Sequence, residues 1–239
     1  MEFSNATQES GPCAWAPDGS LLASCDGNRL FVRDTSTLML VHIFTNIDTV
    51  SRIEWSRDSK YVLCASYKVG VVQVWDVDDP DWVCKIREGP AGLCYARWAP
   101  DGHYILNTNE FNVRITVWGL TSVPAGVVAS LRAPKFSDRA YDFSNDGNYL
   151  AVAERKDSKD YVQVYHCGSW APVARFPVET RDLADLKWAP DDRTIGVWDS
   201  NLEYVFLAYS PEGRRLGRFQ VSDWGGDLLR GVSMRVQLL

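Results

Sequence analysis

The sequence predicts an all-β chain made of copies of one four-stranded unit, and three observations carry the prediction. First, an aromatic residue followed by a turn-forming group recurs five times. The copies are Trp15-Ala16-Pro17-Asp18-Gly19, Trp55-Ser56-Arg57-Asp58-Ser59, Trp98-Ala99-Pro100-Asp101-Gly102, Phe143-Ser144-Asn145-Asp146-Gly147 and Trp188-Ala189-Pro190-Asp191-Asp192, at intervals of 40, 43, 45 and 45 residues. Second, another aromatic follows in phase: Trp75, Trp118, Tyr165 and Tyr209 lie 20, 20, 22 and 21 residues after the first anchor. In the first copy the run Leu30-Phe31-Val32-Arg33-Asp34 holds the matching place. Third, ten Trp against nine Phe is an unusual ratio that one large ring or two per repeat explains. A fixed period of this length is the signature of a repeat architecture.

Each element of the unit follows from local chemistry. In the x-Pro-Asp-Gly turn, Pro pre-sets φ, Asp can accept from the following backbone, and Gly tolerates positive φ. A short apolar run comes next, such as Leu21-Leu22-Ala23, Tyr104-Ile105-Leu106 or Tyr149-Leu150-Ala151-Val152-Ala153. After a polar loop there is a β-branched strand, as in Val71-Val72-Gln73-Val74-Trp75, and then a less regular outer segment. Strands so uniformly apolar belong in sheets covered on both faces. Helical periodicity is scarcely visible, which excludes a helical solenoid of similar period. Four short strands in 40 to 45 residues make a β-propeller blade. The predicted blades cover 13–50, 51–93, 94–138, 139–183 and 184–221, with a divergent tail at 225–239 that reads as disordered or poorly packed. A sixth anchor, due near residue 230, is missing, so the expectation is an incomplete propeller, an open arc with an apolar blade face at each end.

The anchors Trp15, Trp55, Trp98, Phe143, Trp188, Trp75, Trp118, Tyr165 and Tyr209 are then expected as core between blades, where a large ring buries on the order of 150–250 Å². Trp82 and Trp170 fall after a second anchor, towards the outer strand of a blade. They are candidate partner contacts, since Trp is enriched at interface hot spots.

Composition excludes several functions. A net charge of −6 argues against nucleic acid, which demands a basic footprint. The basic stretch Arg214-Arg215-Leu216-Gly217-Arg218 reads as a solvated strand end. Six Cys include no C-x-x-C pair, which fits small buried thiols in a reducing compartment better than zinc. No secretory signal is expected in residues 1–10, and no run of 18 apolar residues suggests a membrane span. His42, His103 and His166 lack partners at ligand spacing, and neither a G-x-S-x-G elbow, a P-loop nor a dinucleotide fingerprint is present. Asp76, Asp78, Asp79 and Asp81 lack the Gly and distal Glu of a calcium loop. The expectation is a protein-binding scaffold with no catalytic residues, metal or cofactor.

Blocks outside the repeat signature narrow this further. The stretches 75–86, Ile105-Leu106-Asn107-Thr108-Asn109-Glu110-Phe111, Arg114-Ile115-Thr116-Val117-Trp118, 153–162 and Val197-Trp198-Asp199-Ser200-Asn201-Leu202-Glu203-Tyr204 resemble the WD repeat-containing protein 8 family, up to Trp224. The resemblance implies a cytoplasmic scaffold at the centrosome, centriolar satellites or spindle pole. It would act with a coiled-coil partner, and in fungi a minus-end-directed kinesin, in microtubule minus-end anchoring, spindle organisation and centriole or cilium assembly. Two other readings stay open: an adaptor of another complex, such as ligase substrate recognition, and a small-ligand-binding propeller, which would need titratable side chains converging from several blades.

Overall fold

The computed structural model describes residues 10–120, 125–200 and 202–220. They form twenty strands in five four-stranded antiparallel sheets, each sheet ordered as its strands run in sequence. The first holds β1 (Cys13–Trp15), β2 (Leu21–Asp26), β3 (Arg29–Asp34) and β4 (Leu40–Thr45). The second holds β5 (Arg52–Trp55), β6 (Tyr61–Ser66), β7 (Val71–Asp76) and β8 (Val83–Arg87), and the third β9 (Tyr95–Trp98), β10 (Tyr104–Thr108), β11 (Arg114–Gly119) and β12 (Gly126–Arg132). In the fourth are β13 (Tyr141–Phe143), β14 (Tyr149–Lys156), β15 (Lys159–His166) and β16 (Ala171–Pro177). The fifth comprises β17 (Leu183–Trp188), β18 (Ile195–Asp199), β19 (Val205–Tyr209) and β20 (Arg215–Gln220). The chain divides into two compact units, one with sheets one, two and most of three, the other with sheets four and five. The tail at 225–239 lies outside the described residues.

The turn joining the first two strands of each sheet is built identically five times. The residue after the anchor donates its N–H to the first residue of the next strand, or the one before it: Ala16 to Leu21, Ser56 to Tyr61, Ala99 to Tyr104, Ser144 to Tyr149 and Ala189 to Thr194, all at 2.8–2.9 Å. The Asp of every copy accepts from the backbone N–H two residues on: Ser20, Lys60, His103, Asn148 and Arg193 donate at 2.9–3.2 Å. The residue after that Asp is left-handed in all five, with φ between 55° and 75°. Where Gly is replaced, at Ser59 and Asp192, the side chain has a task. The Ser59 hydroxyl accepts from the Asp18 N–H at 3.1 Å, and the Asp192 carboxylate from the N–H groups of Asn145 and Asp146 at 2.6 and 2.9 Å. Each substituted turn is thereby tied to the turn of the preceding sheet, which offsets the strain of a non-glycine residue at positive φ.

The core lies between sheets. In the first unit Ala23, Cys25, Leu30, Val32 and Phe44 of sheet one cluster with Ile53, Trp55, Val62 and Cys64 of sheet two. The opposite face of sheet two gives Leu63, Ala65, Val72 and Val74 to a cluster with Ala96, Trp98 and Ile105. In the second unit Ala151, Ala153, Val162 and Val164 meet Leu186, Trp188, Ile195 and Val197. β6 and β7 are apolar on both faces because they are buried on both.

Candidate protein-interaction surface

Three of the first anchors are buried and bond the sheet before them. Trp55, Trp98 and Trp188 are 5–6% exposed. Their indole N–H groups donate to the carbonyls of Ala14, Glu54 and Asp142 at 3.0–3.1 Å. Each acceptor is the residue just before the anchor of the preceding sheet, so one hydrogen bond repeats with the period of the sequence. Phe143 is buried at the same place without a ring N–H. Trp15 departs from expectation: it is 61% exposed and not core.

The second anchors also carry a polar tip that needs a partner when buried. The Trp75 N–H donates to Asn46 Oδ1 at 3.0 Å, and the ring stacks on Phe44 at 4.8 Å. Trp118 donates to Glu88 Oε1 at 2.6 Å, and the buried Glu88 carboxylate also accepts from the side-chain amides of Asn107 and Asn109. The Tyr209 hydroxyl accepts from the Glu179 N–H at 3.0 Å. Burial pushes the Tyr165 phenol up to about 12. These residues are structural.

The acids after the second anchors shape turns. Asp34 Oδ1 accepts from the N–H groups of Ser36 and Thr37, and Asp76 Oδ1 from those of Asp78 and Asp79. The Ser36 hydroxyl, with further hydrogen bonds from Thr37, lowers the Asp34 carboxyl to about 2. Asp76 is also paired with Lys60 at 3.4 Å. In the second unit Lys135 is buried between Asp160 and Asp182 at 3.1 and 2.8 Å and donates to the Leu183 carbonyl at 2.7 Å. Asp160, 1% exposed, also accepts from Thr180 and from the Leu183 N–H. Lys135 supplies the cation that so deeply buried a carboxylate requires.

The two rim candidates separate. Trp82 is half-buried, leaning on Tyr61 at 5.4 Å. Trp170 is only 4% exposed, so the expectation of an open rim contact fails for it. Both lie just before an outer strand, in the connection that leads into β8 or β16. Trp170 sits there with φ of 55°, its backbone N–H bonded to the His166 carbonyl, in a left-handed turn.

Exposed apolar residues occur on the outer strands and also in the connections between the second and third strands. Val69 and Val113 are exposed there, and Phe111 is 92% exposed with φ of 60°, a strained conformation for a bulky side chain. In the fifth sheet the same connection exposes Leu202 at 90% and Tyr204 with φ of 49°. An apolar residue set in a polar loop between two strands, as in Glu110-Phe111-Asn112, is the sequence signal that points to these positions. Apolar side chains held out on short, hydrogen-bonded loops suit protein contact more than chemistry.

Exposed and half-buried polar groups pair with one another. Arg52 bonds Glu54 at 3.0 Å and stacks over the Tyr95 ring at 4.4 Å. Ser169 meets His166 Nδ1 at 3.3 Å in an exposed turn, where the same nitrogen lies 3.3 Å from the Ser169 N–H. Among the described residues no group of three or more His, Cys, Asp or Glu is placed to hold a metal ion, and no helix is long and apolar enough to cross a membrane.

No family model matches the chain. It is 44% identical over 225 residues to the WD repeat-containing protein WRAP73 of Mus musculus, a match that takes in 94% of this chain and 48% of the relative. The chain thus spans about half the length of that curated relative. Among solved structures it is similar to the β-propeller domain of Myceliophteria thermophila Cps50 (Swd1), with a TM-score of 0.59 and 16% identity over 92% of this chain and 76% of that one. A chain of the Mitotic Checkpoint Complex matches with a TM-score of 0.59 and 15% identity, covering 87% and 63%. A chain of Kuenenia stuttgartiensis Hydrazine Synthase matches at 0.60 and 16%, covering 92% and 70%. At such identities these likenesses speak for the fold alone. The repeated anchors, the five four-stranded sheets and the likeness to solved structures give this chain a β-propeller fold, and its sequence is similar to that of a WD repeat-containing protein.

Proposed function

We propose that the chain is a non-catalytic protein-interaction scaffold of the WD repeat-containing protein 8 subfamily, of which WRAP73 is another name. In this reading it acts in the cytoplasm at the centrosome, centriolar satellites or spindle pole. The observation that carries the proposal is the 44% identity across 94% of the chain, a span that takes in the blocks outside the repeat signature. Its partner is a coiled-coil protein, with a minus-end-directed kinesin as a further component, and the task is microtubule minus-end anchoring, spindle organisation and centriole or cilium assembly. Phe111 in the first unit, and separately Leu202 and Tyr204 in the second, offer exposed contact groups.

Proximity labelling from the tagged chain in dividing cells tests this. A coiled-coil centrosomal protein should be enriched with wild type and depleted with Phe111→Ser or Leu202→Ser, while both variants melt like wild type. Diffuse labelling of cytosolic proteins, unchanged by either substitution, would overturn the assignment. Recovery of ligase subunits in place of centrosomal proteins would move the chain to another complex.

A further inference from the structure

The interface between sheets one and two, which lies wholly within the first unit, carries two thiols where the other interfaces carry none. Counted from the first anchor, the tenth residue on is Cys25 in sheet one, Ala65 in sheet two and Ala153 in sheet four. Each is buried in the cluster shared with the following sheet. The ninth residue is Cys64 in sheet two and Val197 in sheet five, each in the cluster shared with the preceding sheet. In sheet three that place belongs to Asn107.

Cross-strand register brings the two thiols to the same level. Cys64 pairs with Ile53, two residues along from the Val62–Trp55 pair, and Cys25 pairs with Leu30, two residues along from the Ala23–Val32 pair. The Trp55 indole reaches the carbonyl of Ala14, the cross-strand partner of Ala23, so the rows one step further on also face one another. Cys25 and Cys64 are 0% and 1% exposed. Burial, with the neighbouring Cys25 thiol, pushes the Cys64 thiol well above its ordinary value, and a hydrogen bond with the Asn46 side chain acts the other way. The cluster between sheets two and three holds one cysteine, Cys84, while Cys13 is exposed and Cys94 half-buried.

We propose that Cys25 and Cys64 form an oxidation site, at which hydrogen peroxide joins them in a disulfide that pins sheet one to sheet two. One thiol, as its thiolate, attacks a peroxide oxygen. The O–O bond breaks, the departing oxygen takes up the thiol proton and leaves as water, and a sulfenic acid remains. The second sulfur attacks the sulfenic sulfur and expels hydroxide, which takes the second thiol proton and leaves as water. Two thiols are oxidised by two electrons and one peroxide is reduced to two waters. Burial makes the site slow, because little thiolate exists at neutral pH and the oxidant enters through local opening. In reducing surroundings both residues rest as thiols, and the bond records sustained exposure to peroxide. The site depends on no other part of the chain and stands apart from the cellular role proposed above.

The test is hydrogen peroxide treatment of the purified, folded chain, then alkylation in denaturant without reductant, digestion and mass spectrometry of linked peptides. The Cys25–Cys64 linkage should be the main product, with the other cysteines recovered alkylated or singly oxidised. The two residues are 39 apart in sequence, so the cross-link should raise the melting temperature by about 5–10 °C, and dithiothreitol should reverse the rise. Cys25→Ala and Cys64→Val place there the residues that other sheets carry at the same positions, so both variants should fold. Each should abolish the linkage and the rise on oxidation. Wild type in which Cys25 and Cys64 stay unlinked, or are joined to other cysteines, overturns the proposal. A linkage that lowers the melting temperature overturns it too, since the sheets would then have to part for the sulfurs to meet.

Discussion

At the scale of single residues, position in the stack matters more than residue type. Trp15, Trp55, Trp98 and Trp188 stand at one sequence position, yet three are sealed and one is open. Trp98→Ala should therefore cost about 3–5 kcal/mol, as emptying a large aromatic core site usually does. Trp15→Ala should cost less than about 1 kcal/mol, in the range of surface changes. Urea melts of dilute protein would check both, and equal losses would contradict the burial difference. A second contrast concerns the rim. Trp170→Ala should destabilise by about 3 kcal/mol because its ring is enclosed, whereas Trp82→Ala should remove about half as much. If Trp170→Ala melted like wild type, the buried left-handed turn would be wrong.

At the scale of elements, the turns were the most legible part of the sequence. Pro-Asp-Gly and its variants encode one hydrogen-bonded turn, and the Asp acts in all five copies. The reason is locality: every group the turn needs lies within about five residues, so no distant partner can change the outcome. Ser59 and Asp192 were legible only as deviations, because their compensating bonds reach 41 to 47 residues away. The turn acids make a pH prediction. Asp34 has a folded value of about 2 against an ordinary 3.8, and hydrogen bonds lower Asp18 and Asp146 too. A lowered folded value means that the contribution is fully present above the unfolded value and is lost as pH falls through the folded one. Denaturation midpoints should hold steady above about pH 4 and drop towards pH 2, and Asp34→Asn should flatten part of that drop. A midpoint that rose on acidification would reverse the sign and refute the turn geometry.

At the scale of the whole molecule, stability should be graded across each sheet. The second and third strands, such as β6 with β7 and β14 with β15, are buried on both faces, while β4, β12, β16 and β20 are largely exposed outer edges. Native-state hydrogen exchange should find the slowest amides in the inner pairs and the fastest in the outer strands. Uniform protection across a sheet would count against this order. The grading also bears on which exposed apolar groups escaped the sequence reading. Trp82 and Trp170 drew attention because Trp is conspicuous, yet the most open apolar groups are Phe111 and Leu202, in loops whose composition is polar.

The sequence by itself determined the repeat, the strand type, the turns and the rows of alternating residues. All of these follow from periodicity and from interactions within a few residues, or across a hairpin whose register the turn sets. Tertiary structure alone decided which aromatic rings are core. An anchor becomes core where a neighbouring sheet covers it, as Ala14 and Ala23 cover Trp55. That surface lies some 40 residues away in sequence, and nothing in the five residues around Trp15 records that its ring is exposed. Burial is a property of the pair of sheets, so the same local sequence yields a sealed ring in one blade and an open one in another.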